Sequence, residues 1–307
     1  IGTNESAMRA SQAASIAARG MEASMERLST GKRINSASDD AAGVAISSRL
    51  SAEVRGTNQS VRNALDAQAL LDTAEGSHKE IENVLQRMRE IAVQSANDTN
   101  NTQDRLNLQT EMNSMIKEID RIAHATTWAG QNLLDGDANG DPDTNAAFSF
   151  QVGSATGTQN QISVNIGSTT AESLGLTHTD GNSLAIVIAD ATATANGRTA
   201  TEHVTGNAAT TAAGNAMVTI GVIDAAIEEV NTQRSTLGAT ANRLNHTVNN
   251  LTNMSANLSS AQGRIQDADF AIETTNLAKN QILQQASTAM LAQANASKAN
   301  VLGLLSN

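Results

Sequence analysis

Residues 223–265 read "IDAAIEEVNTQRSTLGATANRLNHTVNNLTNMSANLSSAQGRI", and one regularity runs through them. Ile223, Val230, Leu237, Leu244, Leu251, Leu258 and Ile265 fall seven apart, and Ile272 continues the series. A weaker stripe includes Ile227, Ala241 and Val248. Heptad spacing sustained this far predicts a helix supercoiled against partner helices, with these residues as its seam. One face of a globular bundle would explain a few such heptads and strains over so many. At 1.5 Å per residue, Met217 to Gln262 alone would span roughly 70 Å, a length that suits a rod.

Composition supports a mainly α chain. Across 307 residues the aromatic side chains are Trp128, Phe148, Phe150 and Phe270, with no tyrosine. Large rings supply much of the buried area in ordinary interiors. This chain must bury Ala, Leu, Ile, Val and Met instead, which suits closely packed helices. Pro142 is the single proline, so little forbids long helices. The absence of cysteine excludes disulfides and thiolate metal sites. It is compatible with chance or with avoidance of cross-linking during export. A net charge of −11, from 31 acids against 20 bases, disfavours nucleic acid or an anionic membrane as partner. No apolar run approaches the roughly 20 residues that a membrane-spanning helix needs. No charged-then-apolar signal peptide opens the chain, so secretion would use another route.

Outward from the heptads, the pattern divides the chain. An alanine-rich helix is expected to end near Gly31, a good residue for a left-handed cap. "RINSASDDAAG" (33–43) then interrupts helical sequence. Ser36 and Asp39 have capping-box spacing, and Asp39 with Asp40 would suit the positive end of a new helix. Helix is expected from about Ala41 to Asn97, then a polar turn "NDTNNTQ", then helix from about Arg105 to Ala125. Period-2 runs in "FSFQVG" and "QISVNIG" predict a β-hairpin. Residues 168–216, rich in Thr, Ala, Asn and Gly with one apolar burst "LAIVIA" at 184–189, are expected to be the least organised part. After Glu273 the charged side chains are Lys279 and Lys298 alone. Small, uncharged helical faces suit a helix surrounded by other helices, which a monomer does not supply.

Enzymatic readings find little. Zinc proteolysis needs an HExxH arrangement, and no two of His78, His124, His178, His203 and His246 are four apart. Lone histidines of this kind read as surface residues. No catalytic, metal-binding or cofactor-binding residue is expected.

Several segments resemble bacterial flagellin: "LSTGKRINSASDDAAGVAISSRL" (28–50), "LQRMREIAVQSANDTN" (85–100), "SSAQGRIQDADFAIET" and "ILQQASTAMLAQAN". The similarity covers roughly 1–167 and 217–307, in the family's order. By the resemblance, the opening "IGTN" would lie a few residues inside the family's usual start, and the family's outer domains would be reduced to about 168–216. The resemblance implies an antiparallel helical rod of the two chain halves, with a β-hairpin and a small irregular central subdomain. It implies an inner-layer helix and joint over 1–40, a rod half over 41–142, the hairpin over 143–167 and the variable region over 168–216. The second rod half would cover 217–263, and a return joint with inner-layer helix 264–307. Gly31, Ser36, Asp39 and Asp40 would form the interlayer joint, with "RIQDADFA" as its return partner. Leu302, Leu304 and Leu305 would anchor assembly.

The implied function is a structural subunit that self-assembles into the hollow filament of the bacterial flagellum. A hook–filament junction protein shares the terminal plan, and the full "LQRMREIAVQSAN" run and "VLGLL" end favour flagellin. The implied partners are further copies of the chain, flagellar cap and hook–filament junction proteins, an export chaperone and innate-immune receptors. Export would pass through the flagellar secretion channel without a cleaved signal. The resemblance also implies a Toll-like receptor patch at Arg87, Glu90, Ile91 and Gln94 with Glu111, where Ile91 stands for the family's leucine. Arg87, Ile91 and Gln94, at spacings of four and three, share one helix face.

Overall fold

A computed structural model describes residues 3–136, 146–176, 194–195, 198–199 and 212–305, the side chains of 194–195, 198–199, 212–215 and 298–305 excepted. The chain divides into two compact units, Ile1–Arg55 with Asn253–Asn307, and Gly56–Thr252. The apolar burst at 184–189 lies outside the described residues; the described residues between 177 and 211 form two-residue strands β5 (Thr194–Ala195) and β6 (Arg198–Thr199), which pair antiparallel.

In the terminal unit, α1 (Glu5–Thr30) runs antiparallel to α5 (Phe270–Leu305). Asn4 caps α1, its Oδ1 accepting the Ala7 N–H at 3.1 Å. The helix ends on Gly31 in the left-handed region (φ 71°), where a side chain would be strained, and the Gly31 N–H donates to the Arg27 carbonyl. Three contacts fix the pairing. Asn4 Nδ2 donates to the Ala294 carbonyl at 3.2 Å, Gly20 faces Asn280, and Arg27 pairs with Glu273 at 3.0 Å. A Cβ on Gly20 would lie 2.7 Å from the Asn280 amide nitrogen, so glycine lets the two helices approach closely there.

The second unit is built from the remainder of α2 (Ala41–Ala96), α3 (Thr102–Ala125) and much of α4 (Ala212–Gln266). Its core gathers Leu71, Ile81, Leu85 and Met88 of α2, Met112, Ile116 and Ile119 of α3, and Ile223, Val230, Leu237 and Leu244 of α4. Strands β3 (Ala146–Gln151) and β4 (Gln161–Ile166) pair antiparallel, with Phe148 opposite Val164 and Phe150 opposite Ile162. Ile162, Val164 and Ile166 alternate into the core, as their period-2 spacing predicts. A smaller hairpin, β1 (Thr127–Trp128) with β2 (Gln131–Asn132), turns through Ala129 and Gly130, both with positive φ.

Four expectations need correction. α3 starts at Thr102 rather than Arg105, because Asn101 and Asp104 form a reciprocal capping box inside the polar turn. α4 begins at Ala212, five residues ahead of Met217. Residues 168–176 are organised: Ala171, Leu174 and Leu176 are buried in the core, and the Ala171 N–H donates to Asp120 at 2.7 Å. Finally, the heptad series outruns its helix. α4 stops at Gln266, and Ile272 sits in α5, largely exposed. Asp269 caps the new helix by accepting the Ala271 and Ile272 N–H groups, so the continued spacing crosses a break.

Candidate functional site

Along the seam, Ile223, Val230, Leu237, Leu244 and Leu251 are buried, while Leu258 and Ile265, which fall in the terminal unit, are half-buried. The terminal unit has little large apolar core. Ala17, Ser24 and Ile34 are buried, but Met8, Ile16 and Met25 of α1 and Phe270, Ile282 and Met290 of α5 are each more than half exposed. A helix pair that buries small residues and leaves its bulky apolar side chains in water is an incomplete interior. Leu302, Leu304 and Leu305 lie on α5, outside the residues whose side chains are described.

The joint is built by pairing between "GKRINSASDD" and the break after α4. The backbones of Lys32 and Asp267 pair as an isolated antiparallel β-bridge, the Arg33 N–H donates to the Gln266 carbonyl at 2.7 Å, and the Ala268 N–H donates to the Gly31 carbonyl at 3.0 Å. Side chains add to this. The Arg33 guanidinium reaches the Ile265 carbonyl at 2.8 Å, and the Ser47 hydroxyl donates to Gln266 Oε1 at 2.9 Å. Two chain segments more than 200 residues apart are thus stitched mainly by backbone bonds, which fix geometry whatever the side chains do.

The capping-box reading of Ser36 and Asp39 is corrected here. In a capping box the Ser36 hydroxyl would accept the Asp39 N–H, but that N–H goes to the Ser36 carbonyl. Asp39 instead closes the turn, its Oδ2 accepting the N–H groups of Asn35 and Ser36 and the Ser36 hydroxyl. The Ser36 N–H, then that of Asn35, holds the Asp39 carboxyl below its ordinary range. The cap of α2 is Asp40, whose Oδ1 accepts the Gly43 N–H at 2.9 Å. The adjacent aspartates therefore divide the work of the bend, one shaping the turn and one starting the helix.

On the second unit, Arg87 bridges Glu90 of its own helix (2.8 Å) and Glu111 of α3 (3.1 Å), all three exposed or partly so. These bonds, that to Glu90 first, hold the guanidinium still more firmly charged. Gln94 is exposed. Ile91 departs from the expected patch: it is fully buried in the core. Four residues turn a helix by about 400°, so Ile91 sits some 40° round from Arg87. On a helix flanked by α3 and α4, that rotation carries a side chain from the surface to the interior. Ile91 therefore lies beneath the surface that carries Arg87, Glu90 and Glu111, not on it.

A buried helix core, a terminal helix pair with exposed bulky apolar side chains, and a polar joint between residues 31–33 and 265–268 are the features this fold offers for assembly. Residues 1–139 match the bacterial flagellin N-terminal helical region, and residues 220–305 match the bacterial flagellin C-terminal helical region. A flagellin of Bacillus subtilis (strain 168) is 41% identical over 288 residues, covering 92% of this chain and 91% of that protein. Polar flagellin A of Vibrio parahaemolyticus is 34% identical over an alignment of 379 positions, covering 99% of each chain. A solved Vibrio parahaemolyticus structure, described as flagellar hook-associated, shares the fold at TM-score 0.55 and 17% identity, over 75% of this chain and 100% of that one. The chain belongs to the bacterial flagellin family. As a member of that family it is a structural subunit of the extracellular flagellar filament, which serves motility.

Proposed function

We propose that the terminal helix pair is the part of this subunit that completes its interior only in the filament. The observation that carries this is the exposure of Met8, Ile16, Met25, Phe270, Ile282 and Met290 on α1 and α5. Ordering backbone costs about 1–2 kcal/mol per residue, and a pair that buries mainly alanine and serine offsets little of it alone. In the polymer, α1 and α5 line the channel, the leucines at 302, 304 and 305 anchor the last turns, and Gly31, Ser36, Asp39 and Asp40 set the bend between layers. Limited proteolysis tests the proposal. Monomer should trim to a core near residues 40–265, while polymer should resist; equal protection in both states would overturn it.

The finer partners follow the same reading. Before export an uncovered α5 needs a chaperone, and after it the growing end meets cap and junction proteins. Export through the flagellar channel without a cleaved signal suits a chain whose ends stay unfolded until assembly. The role is mechanical: the filament transmits motor torque, and no side chain is assigned catalysis or a cofactor. An innate-immune receptor would engage Arg87, Glu90, Gln94 and Glu111, with Ile91 behind them. Arg87→Ala should strongly weaken a Toll-like receptor reporter response to monomer. Because the Arg87 ion pairs are solvent-exposed, the melting midpoint should hardly move.

A further inference from the structure

Glycine costs a helix interior more backbone entropy than any other residue, so one kept there calls for a reason. Several helical glycines find theirs within the chain. A Cβ on Gly20 would crowd the Asn280 amide, and one on Gly43 would lie 2.5 Å from Asp40 Oδ2 and 2.6 Å from Ile34 Cδ1. A Cβ on Gly56 would lie 2.8 Å from that of Ser154, and one on Gly263 would lie 2.7 Å from Asp267 Oδ2. Gly76 is different. It stands exposed well inside the 56-residue helix α2, in the second unit. Its backbone is ordinary helix, so no left-handed turn demands glycine. A Cβ there would have nothing within 4 Å. Gly221 and Gly238 of α4 share that open space but are half-buried. The folded chain by itself gives no steric reason for glycine at 76.

We propose that Gly76 is a close-contact notch for a second copy of this chain, where a segment of a neighbouring subunit lies against the α2 backbone in the filament. The proposal rests on filament assembly and adds a contact of the second unit to that of the terminal helix pair. Family membership supplies the occupant: a filament subunit is flanked by copies of itself, which gives an open helix face of the monomer a partner. Charge is compatible with that occupant. Asp72 and Glu80 stand four residues to either side of Gly76 on the same face, both exposed and without an ion pair among the described residues. A second copy carries exposed bases that are likewise without ion pairs among the described residues, Lys117 of α3 and Arg243 of α4 being two of them. A rival reason for the glycine is local. The Thr73 and Ser77 hydroxyls donate back to the Ala69 and Thr73 carbonyls, and such bonds beside a Gly–Ser pair bend helices. The two reasons predict opposite changes in the monomer.

The test uses the full chain and two readouts. Gly76→Ala should raise the melting midpoint of monomer by about 1–4 °C, the gain from a better helix former with room for its methyl group. At equilibrium with wild-type filament seeds, the same variant should leave about tenfold more chain in solution than wild type does, because the added methyl crowds a packed contact. Gly76→Leu has a larger side chain and also favours helix. It should leave still more chain in solution while its monomer melts no lower than wild type. A lower melting midpoint for Gly76→Ala would assign the glycine to a bend in α2 and overturn the proposal. Soluble chain within about twofold of wild type for both variants, far below the tenfold step, would overturn it too, since nothing would then lie close to Gly76. Wild-type chain that fails to extend the seeds would contradict filament assembly itself and take the proposal with it, a failure distinct from the other two.

Discussion

Leu244→Ala lowers the stability of the monomer by about 2–5 kcal/mol, the cost of emptying a buried leucine site. Leu244 is fully buried on α4 and joins a core drawn from α2, α3 and β4, so no single neighbour can collapse into the space. The effect should be read in thermal or denaturant unfolding of monomer, without any polymer present. Leu258→Ala is the internal comparison. It continues the same heptad but is half-buried and belongs to the terminal unit, so its loss should cost the monomer much less. Equal costs at the two positions would mean that the seam is uniform along its length. An unchanged midpoint for Leu244→Ala would mean that the monomer core is not the one described.

Deleting Val301 to Asn307 has the opposite profile: filament growth is largely lost while monomer unfolding is unchanged. Leu302, Leu304 and Leu305 are the last bulky apolar residues of a segment in which Ala, Gln, Asn and Ser dominate. The buried core cluster of the second unit runs from Ala64 to Leu244, far from this end of the sequence. Seeded elongation followed by light scattering, with a melting curve of the same preparation, separates the two effects. Normal elongation by the truncated chain would remove the leucines from the assembly mechanism.

Much of this architecture is legible in the sequence because helices announce themselves through apolar spacing. The α1 stop at Gly31, the α2 start at Ala41 and the alternation of Ile162, Val164 and Ile166 all follow from local rules. Periodicity is blind to what interrupts it. The spacing from Ile265 to Ile272 stays in register across a helix break, and only Asp269, a cap three residues before Ile272, gives that break away. Residues 168–176 look like loop because Ser, Thr and Ala carry no pattern. They are held by burial of Leu174 and Leu176 and by the Ala171 N–H donating to Asp120, a residue distant in sequence.

The sites show the same division. The joint was readable as a bend, but its partners at 265–268 are carbonyls and N–H groups, which no side-chain motif encodes. Arg87, Ile91 and Gln94 share a helix face by spacing, yet packing on both sides of α2 leaves Arg87 in water and takes Ile91 out of it. His78, expected at the surface, is fully buried on α2, and nothing in the sequence places Gln233 of α4 beside it. The polar residues around it are read only once α2 and α4 are paired.

Electron microscopy of purified chain added to short filament seeds tests the central claim most directly. The subunit should extend the seeds as hollow filaments, and a reconstruction should place α1 and α5 around the channel with the exposed residues Met8, Ile16, Phe270 and Ile282 covered by neighbouring copies. A chain that leaves the seeds unextended, or filaments whose channel is lined by residues from 56–252 instead, would contradict it.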